Sequence, residues 1–317
     1  MNRRQALAVL AGAGTVLGAK RSGPIDLSRI SAITDEVGKT PAEAIAFARD
    51  HGIRWVELRA VPGYKGDERG VREYAFLSES FVKKAAKELR DNGLGVSFLN
   101  TSLLKFALPG MEPAKRRLRP GQTLAQAHEA EKAKFDRRRD DLRHAIRTAQ
   151  LFEVDRLRVF TGFRVANPEK VKSRVADLMG EMTRIAEREG VWLLVENEGA
   201  CNVATSSELT ALLRDVRSKA LGINWDPYND LAFQETPYPD GYTLLPKKRI
   251  GNVQVKGRSV LPDSPTRLDW AAILKSLETD DYEGKIGLET HIFDDRLIEH
   301  SHNSMREIRR LVAAEAS

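Results

Sequence analysis

Eight short apolar runs, separated by longer stretches with helical patterning, divide this chain, and three of the runs stop at a carboxylate. The runs cover residues 29–34, 54–59, 95–100, 156–161, 192–196, 222–226, 252–256 and 285–290. Strand patterns alternating with helix patterns argue for βαβ units and a parallel sheet. Eight such strands are the number that closes a (β/α)8 barrel, an α/β fold whose active sites form at the C-terminal ends of the strands. The acids stand at those ends: Glu196 in VWLLVEN, Asp226 in LGINWDP and Glu289 in KIGLETH. Several oxygen donors converging on a barrel mouth suit a divalent cation such as Mg2+ or Mn2+.

The segments between the runs read as helices over 41–51, 79–92, 123–152 (one long charged helix or two), 168–189, 206–215, 269–277 and 301–314. Thr40 and Pro41 provide a cap and a first-turn proline for the first of them. Phe81, Val82, Ala85, Ala86 and Leu89 give the second a helical period. Four strands are entered through a polar residue and a glycine, in DHGIRWVEL, DNGLGVSFL, REGVWLLVE and YEGKIGLET. A glycine there stops the preceding helix by taking a left-handed conformation, so the repeat is architectural. The Pro-containing stretches 108–121 and 230–248 read as long irregular loops, of the kind that serve as lids or face substrate.

With 317 residues, 41% hydrophobic and 30% charged, the chain suits one large domain, which we assign to residues 22–317. Residues 1–21 read as a signal peptide: a basic start, an apolar stretch from Ala6 to Ala19, and small residues at the cut site. Arg3-Arg4 resembles a twin-arginine leader, which implies an exported or periplasmic protein. The stretch is short and glycine-rich for a membrane span, and an uncleaved anchor is the alternative. Nothing later in the sequence is long and apolar enough to insert stably.

The formal charge of +6 is concentrated in the leader and around Lys115, Arg116, Arg117, Arg119, Arg137, Arg138 and Arg139. Interleaved acids such as Glu131, Asp136 and Asp140 favour a solvated loop and helix face over a nucleic-acid surface. The single cysteine, Cys201, excludes an internal disulfide and a CxxC metal site. No phosphate-binding loop, GxSxG, HExxH or dinucleotide fingerprint occurs, so neither a nucleotide cofactor nor a serine nucleophile is expected.

The order and spacing of LLVENEG, INWDPYN, RIGNVQVKG and YEGKIGLETH, preceded by ITDEV, WVELR and RLRVFTG, resemble the sugar phosphate isomerase/epimerase family of xylose isomerase-like TIM barrels. The resemblance spans the whole chain after the leader. It implies one divalent cation held by residues from strands five to eight, which here are Glu196, Asp226, Gln254 and Glu289. Gln254 stands where the family has histidine, and Gly257 where aspartate often follows. An amide oxygen suits a hard cation better than Zn2+, so Mn2+ or Mg2+ is expected. The resemblance also implies that Glu196 and Glu289 exchange a proton beside a substrate carbonyl, as an acid/base pair.

Lys256 shares a strand face with Gln254 and is a candidate catalytic group. Candidate substrate contacts are Arg158, His291, Trp225, Asn229, Lys105 and Glu57. An inward Arg158 is expected to pair with an acid such as Glu57. Trp225 and Tyr228 flank Asp226, where a ring can stack on a sugar, and His291 lies two residues beyond Glu289. The small-molecule partner is then a sugar or a glycoside, with no nucleic acid; self-association stays open. Two rival readings keep the same site: a lyase on 3-keto-glycosides, and a sugar-binding barrel without catalysis, which Gln254 and Gly257 motivate. A DNA-repair endonuclease on this barrel would need many histidines, and the chain has six.

Overall fold

A computed structural model describes residues 23–315 apart from Arg69 and Arg117, so the leader over 1–21 lies outside the described residues. Eight strands form one sheet: β1 (Ile30–Ala32), β2 (Trp55–Leu58), β3 (Gly95–Leu99), β4 (Arg156–Val159), β5 (Trp192–Glu196), β6 (Leu221–Trp225), β7 (Ile250–Lys256) and β8 (Lys285–Glu289). Every ladder is parallel and joins sequence neighbours, except that β8 also pairs with β1. A bridge between Ile33 and Glu57 links the β1 and β2 sides and closes the barrel.

Seven long helices surround it: α1 (Pro41–His51), α2 (Glu79–Asp91), α3 (Leu124–Leu151), α4 (Lys172–Glu189), α5 (Ser206–Asp215), α6 (Trp270–Thr279) and α7 (Leu297–Glu315). Their ends follow local chemistry. Thr40 accepts a hydrogen bond from Glu43 N ahead of Pro41, and Gly52 ends α1 in the left-handed region at φ 69°. Thr123 and Gln126 form a reciprocal capping box, which starts the 28-residue α3 as one helix. The β6–β7 connection is the exception to strand–helix alternation. The stretch 230–248 is not wholly irregular but a succession of short helical turns, including Leu231–Phe233 and Tyr242–Leu244.

The strand pleat sorts side chains to two sides. Val56, Leu58, Leu157, Leu193, Ile223, Val253, Val255 and Leu288 join the helices in one continuous apolar core. The alternate positions turn inward. Leu194 fills part of the interior, where a Cβ on Gly222 would lie 2.6 Å from its Cδ2. Above it the interior becomes polar. Glu57 accepts from Ser31 Oγ at 2.9 Å, Asn100 Nδ2 at 2.7 Å, Gln254 Nε2 at 2.8 Å and Asn252 Nδ2 at 3.3 Å. A side chain on Gly287 of β8 would collide with this carboxyl, which explains the gap in that strand. Burial pushes the Glu57 carboxyl pKa up against those four donors. Among the described residues, no helix is long and apolar enough to cross a membrane.

Candidate active site

Glu196 ends β5, Asp226 follows β6 and Glu289 ends β8, so one side of the rim, with β7 between the last two strands, delivers three carboxylates to one place. One oxygen from each lies within 4.8 Å of the other two, and all three residues are buried. Three buried negative charges need compensation, because removing ions from water without partners is costly. The protein supplies it from three other strands. Arg158 of β4 donates through Nη1 to Glu196 Oε2 at 2.8 Å, and Asn224 Nδ2 reaches the same oxygen at 3.0 Å. Lys256, the last residue of β7, is paired in register with Glu289. Its Nζ donates to Glu289 Oε2 at 2.6 Å and lies 2.8 Å from Asp226 Oδ2. The latter contact is a buried ion pair.

Arg59, just past β2, completes the arrangement. It donates to Glu289 Oε1 at 2.9 Å, to Glu36 Oε1 at 2.7 Å and to Asp35 Oδ2 at 3.0 Å. Glu36 and Asp35 belong to the ITDEV segment, which forms a helical turn directly after β1. Glu36 also accepts from the backbone of His291 at 2.8 Å. That bond holds His291 in the left-handed region, at φ 50°, a conformation unfavourable for a residue with a side chain.

Burial and charge act on these groups in opposite directions. Burial pushes the Asp226 carboxyl up to about 7, although Lys256 opposes it. Burial works against the charged form of Glu289 too, but Lys256, His291, Arg59 and Arg158 outweigh it and hold this carboxyl well below its usual range. The Lys256 ammonium is desolvated, yet Asp226, Glu289 and Glu196 keep it charged far above the ordinary lysine range. Glu289 is therefore a fixed carboxylate with both oxygens engaged. Glu196 differs: both of its hydrogen bonds from described residues fall on Oε2, which leaves Oε1 without one.

The other candidate residues divide into several groups. Arg158 turns inward as expected, but its acid is Glu196 and not Glu57, because Glu57 is satisfied by neutral donors lower in the barrel. Glu57 is wholly buried in that network and offers nothing at the rim. Gln254 faces the interior, gives its amide N–H to Glu57, and keeps Oε1 buried without a partner. Trp225 points the other way. The pleat sends it out of the barrel, where Nε1 donates to Ser206 Oγ of α5 at 3.0 Å and the ring packs against Tyr242 at 5.3 Å. Fully buried there, it cannot stack on a sugar.

Asn229 donates to Asn197 O at 2.7 Å, and Asn197 accepts from Asp226 N at 2.9 Å and donates to Asp226 O at 2.7 Å. Asn229 thus braces the loop that aims Asp226. Lys105 pairs with Glu198 at 3.0 Å, above the Phe160 ring. His291 is half exposed, with Nδ1 3.6 Å from Glu289 Oε1. Sequence reasoning did not assign Arg59, Glu36, Asp35, Asn224 and Asn197 to the site. Arg59 was detectable from its i, i+2 spacing to Glu57, and Asn224 from the same spacing to Asp226. Away from the rim, Arg116 pairs with Glu112 and Glu131, and Arg138 and Arg139 both pair with Glu181.

The model of the xylose isomerase-like TIM barrel family matches residues 45–311, and the chain belongs to that family. No curated protein sequence matches it. Among solved structures, it is similar to the apo form of a 3-keto-D-glucoside 4-epimerase from E. coli, with a TM-score of 0.64 and 12% identity over 89% of this chain and 99% of the other. It is also similar to a probable 3-DHS dehydratase from Bacillus anthracis, with a TM-score of 0.62 and 13% identity over 91% and 99% of the two chains. A third, the IOLI protein solved with a binding zinc atom, gives a TM-score of 0.64 and 14% identity over 90% and 99%. At these identities the likeness is one of fold.

The donor set fits a divalent metal in type and spacing. Glu196, Asp226 and Glu289 offer three clustered oxygens, Asp226 Oδ2 has the Lys256 ammonium beside it, and Gln254 Oε1 is buried without a hydrogen-bond partner. Glu36, Glu289 and His291 form a second, overlapping group.

Proposed function

We propose that this chain is an exported sugar isomerase or epimerase that moves a proton at the carbon beside a carbonyl. The observation that carries the reading is the asymmetry of its two glutamates at the barrel mouth. Glu196 has one oxygen free of hydrogen bonds, while Glu289 is clamped by Lys256 and Arg59. A proton acceptor needs an available lone pair within reach of the substrate carbon. Glu196 Oε1 meets that need, and Arg158 and Asn224 orient the carboxylate through its other oxygen. Glu289, with one oxygen engaged by Lys256 and the other by Arg59, has no such free oxygen. The ammonium and the Arg158 guanidinium are donors for the oxygens of the enediolate that forms once the proton has left. Delivery of that proton by Glu196 to the neighbouring carbon gives the isomer, and protonation of the original carbon on its opposite face by a second acid gives the epimer.

A divalent cation, Mn2+ or Mg2+ in preference to Zn2+, would be held by Glu196, Asp226 and Glu289, with Gln254 Oε1 as a further oxygen. Bound there, it supplies Lewis acidity to the substrate carbonyl. The substrate class is a free sugar or a glycoside, since an exported enzyme meets these outside the cytoplasm. Loss of a β-substituent from the same enediolate would make the enzyme a lyase on 3-keto-glycosides.

The test is incubation with a panel of ketoses, aldoses and 3-keto-glycosides in D2O, followed by NMR. Deuterium appearing beside the carbonyl of at least one substrate is expected. Binding without exchange across the panel would favour a sugar-binding barrel that does no chemistry.

A further inference from the structure

Lys256 is the only cation that faces Asp226 among the described residues, and it is shared with Glu289. The other acids of the rim have their own partners: Glu196 has Arg158, and Glu36 and Asp35 have Arg59. The lysine backbone is fixed. Its carbonyl accepts from Ser259 Oγ at 2.6 Å, and a Cβ on the following Gly257 would lie 2.9 Å from Thr290 O. Only the flexible four-carbon stem can move. Its tip lies against two of the three carboxylates that could hold a divalent ion.

From this geometry we propose that the Lys256 ammonium and a divalent cation compete for Asp226 and Glu289, so that metal enters this site only as Lys256 withdraws from it. The proposal rests on the reading of these carboxylates as cation ligands and goes beyond it. The physical reason is simple. An ion coordinated by Asp226 and Glu289 sits about 2 Å from their oxygens. The ammonium already lies 2.6 and 2.8 Å from those same oxygens. Two like charges sharing one pair of carboxylates repel in a site from which water is largely excluded. The tethered ammonium also neutralises the acids when no metal is bound, which keeps Asp226 from standing as a buried, unpaired charge.

Two measurements test this. Titration of Mn2+ into the wild-type protein and into Lys256→Met, followed by calorimetry or Mn2+ electron paramagnetic resonance, should show at least a tenfold gain in affinity for the variant. Lys256→Gln serves as the second variant if Lys256→Met does not fold, as judged by its melting transition. The wild-type protein is then treated with an amine-reactive label with and without saturating Mn2+, and modification at Lys256 is quantified by mass spectrometry. Labelling should rise several-fold when Mn2+ is bound. Equal or weaker Mn2+ binding in the folded variants, or Lys256 labelling that stays constant or falls on metal loading, overturns the competition. Absence of Mn2+ binding in every folded form also overturns it. It would leave the proton-transfer reading intact, because deuterium exchange measures that separately.

Discussion

At the scale of single residues, the site is a set of buried charges whose partners lie on other strands. Arg158 and Glu196 form one such pair, with side chains 7% and 2% exposed. Removing one member of such a pair leaves the other buried and uncompensated, at a cost of about 3–5 kcal/mol. Arg158→Met should therefore lower stability by about that amount in urea unfolding, and Glu196→Gln in the same background should recover part of it. A loss below about 1 kcal/mol would show that Glu196 does not depend on Arg158. Trp225 gives the opposite lesson. Its place next to Asp226 in sequence suggests a sugar contact, but adjacent residues of a strand face opposite sides of the sheet. If Asp226 points into the barrel, Trp225 points out to α5.

At the scale of elements, the barrel was legible because each strand and each cap rests on local chemistry. The span 41–51 for α1 and 206–215 for α5 follow from Thr40, Pro41 and Thr205. The stretch 230–248 was read as loop because its helical turns are too short to establish a period. The partners of the acids were not legible: which cation crosses to which carboxylate depends on barrel closure and register.

The seam between α1 and α7 carries a pH prediction. His51 Nε2 and His302 Nδ1 are 2.8 Å apart, packed against Phe47. Burial, then His302, Arg309 and Arg306, lower the His51 pKa to about 4, and burial lowers that of His302 as well. The unfolded chain protonates His51 near pH 6.5, whereas the folded chain resists until about pH 4, so the unfolded state binds more protons between those values. Stability should then be greatest above pH 6.5 and fall as the pH drops towards 4. Denaturation midpoints for the wild-type protein and His51→Gln should show a shallower decline in the variant. Parallel declines would mean that this pair does not set the acid sensitivity.

At the scale of the whole molecule, a polar interior beneath a charged rim distinguishes this barrel from one filled with apolar layers. Glu57 and its four donors tie β1, β2, the end of β3 and β7 together below the rim. That network supports the site from beneath, and Gln254 belongs to it through its amide N–H. Export is a separate proposal, carried by the apolar stretch from Ala6 to Ala19 and the Arg3-Arg4 pair before it. Replacing both with Lys should keep the protein out of the periplasm if the twin-arginine route is used, and undiminished periplasmic accumulation would rule that route out.

The central claim is that Glu196 takes a proton from the carbon beside a substrate carbonyl. The most direct measurement follows deuterium incorporation from D2O by NMR, with wild-type protein, Glu196→Gln and Glu289→Gln, each saturated with metal and with the substrate that the panel identifies. Rapid exchange is expected in the wild type and at least a hundredfold loss in Glu196→Gln, as for removal of a positioned general base. Substrate binding should persist in that variant. Exchange that continues at the wild-type rate in Glu196→Gln but disappears in Glu289→Gln would contradict that role for Glu196 and move the base to the other side of the barrel mouth.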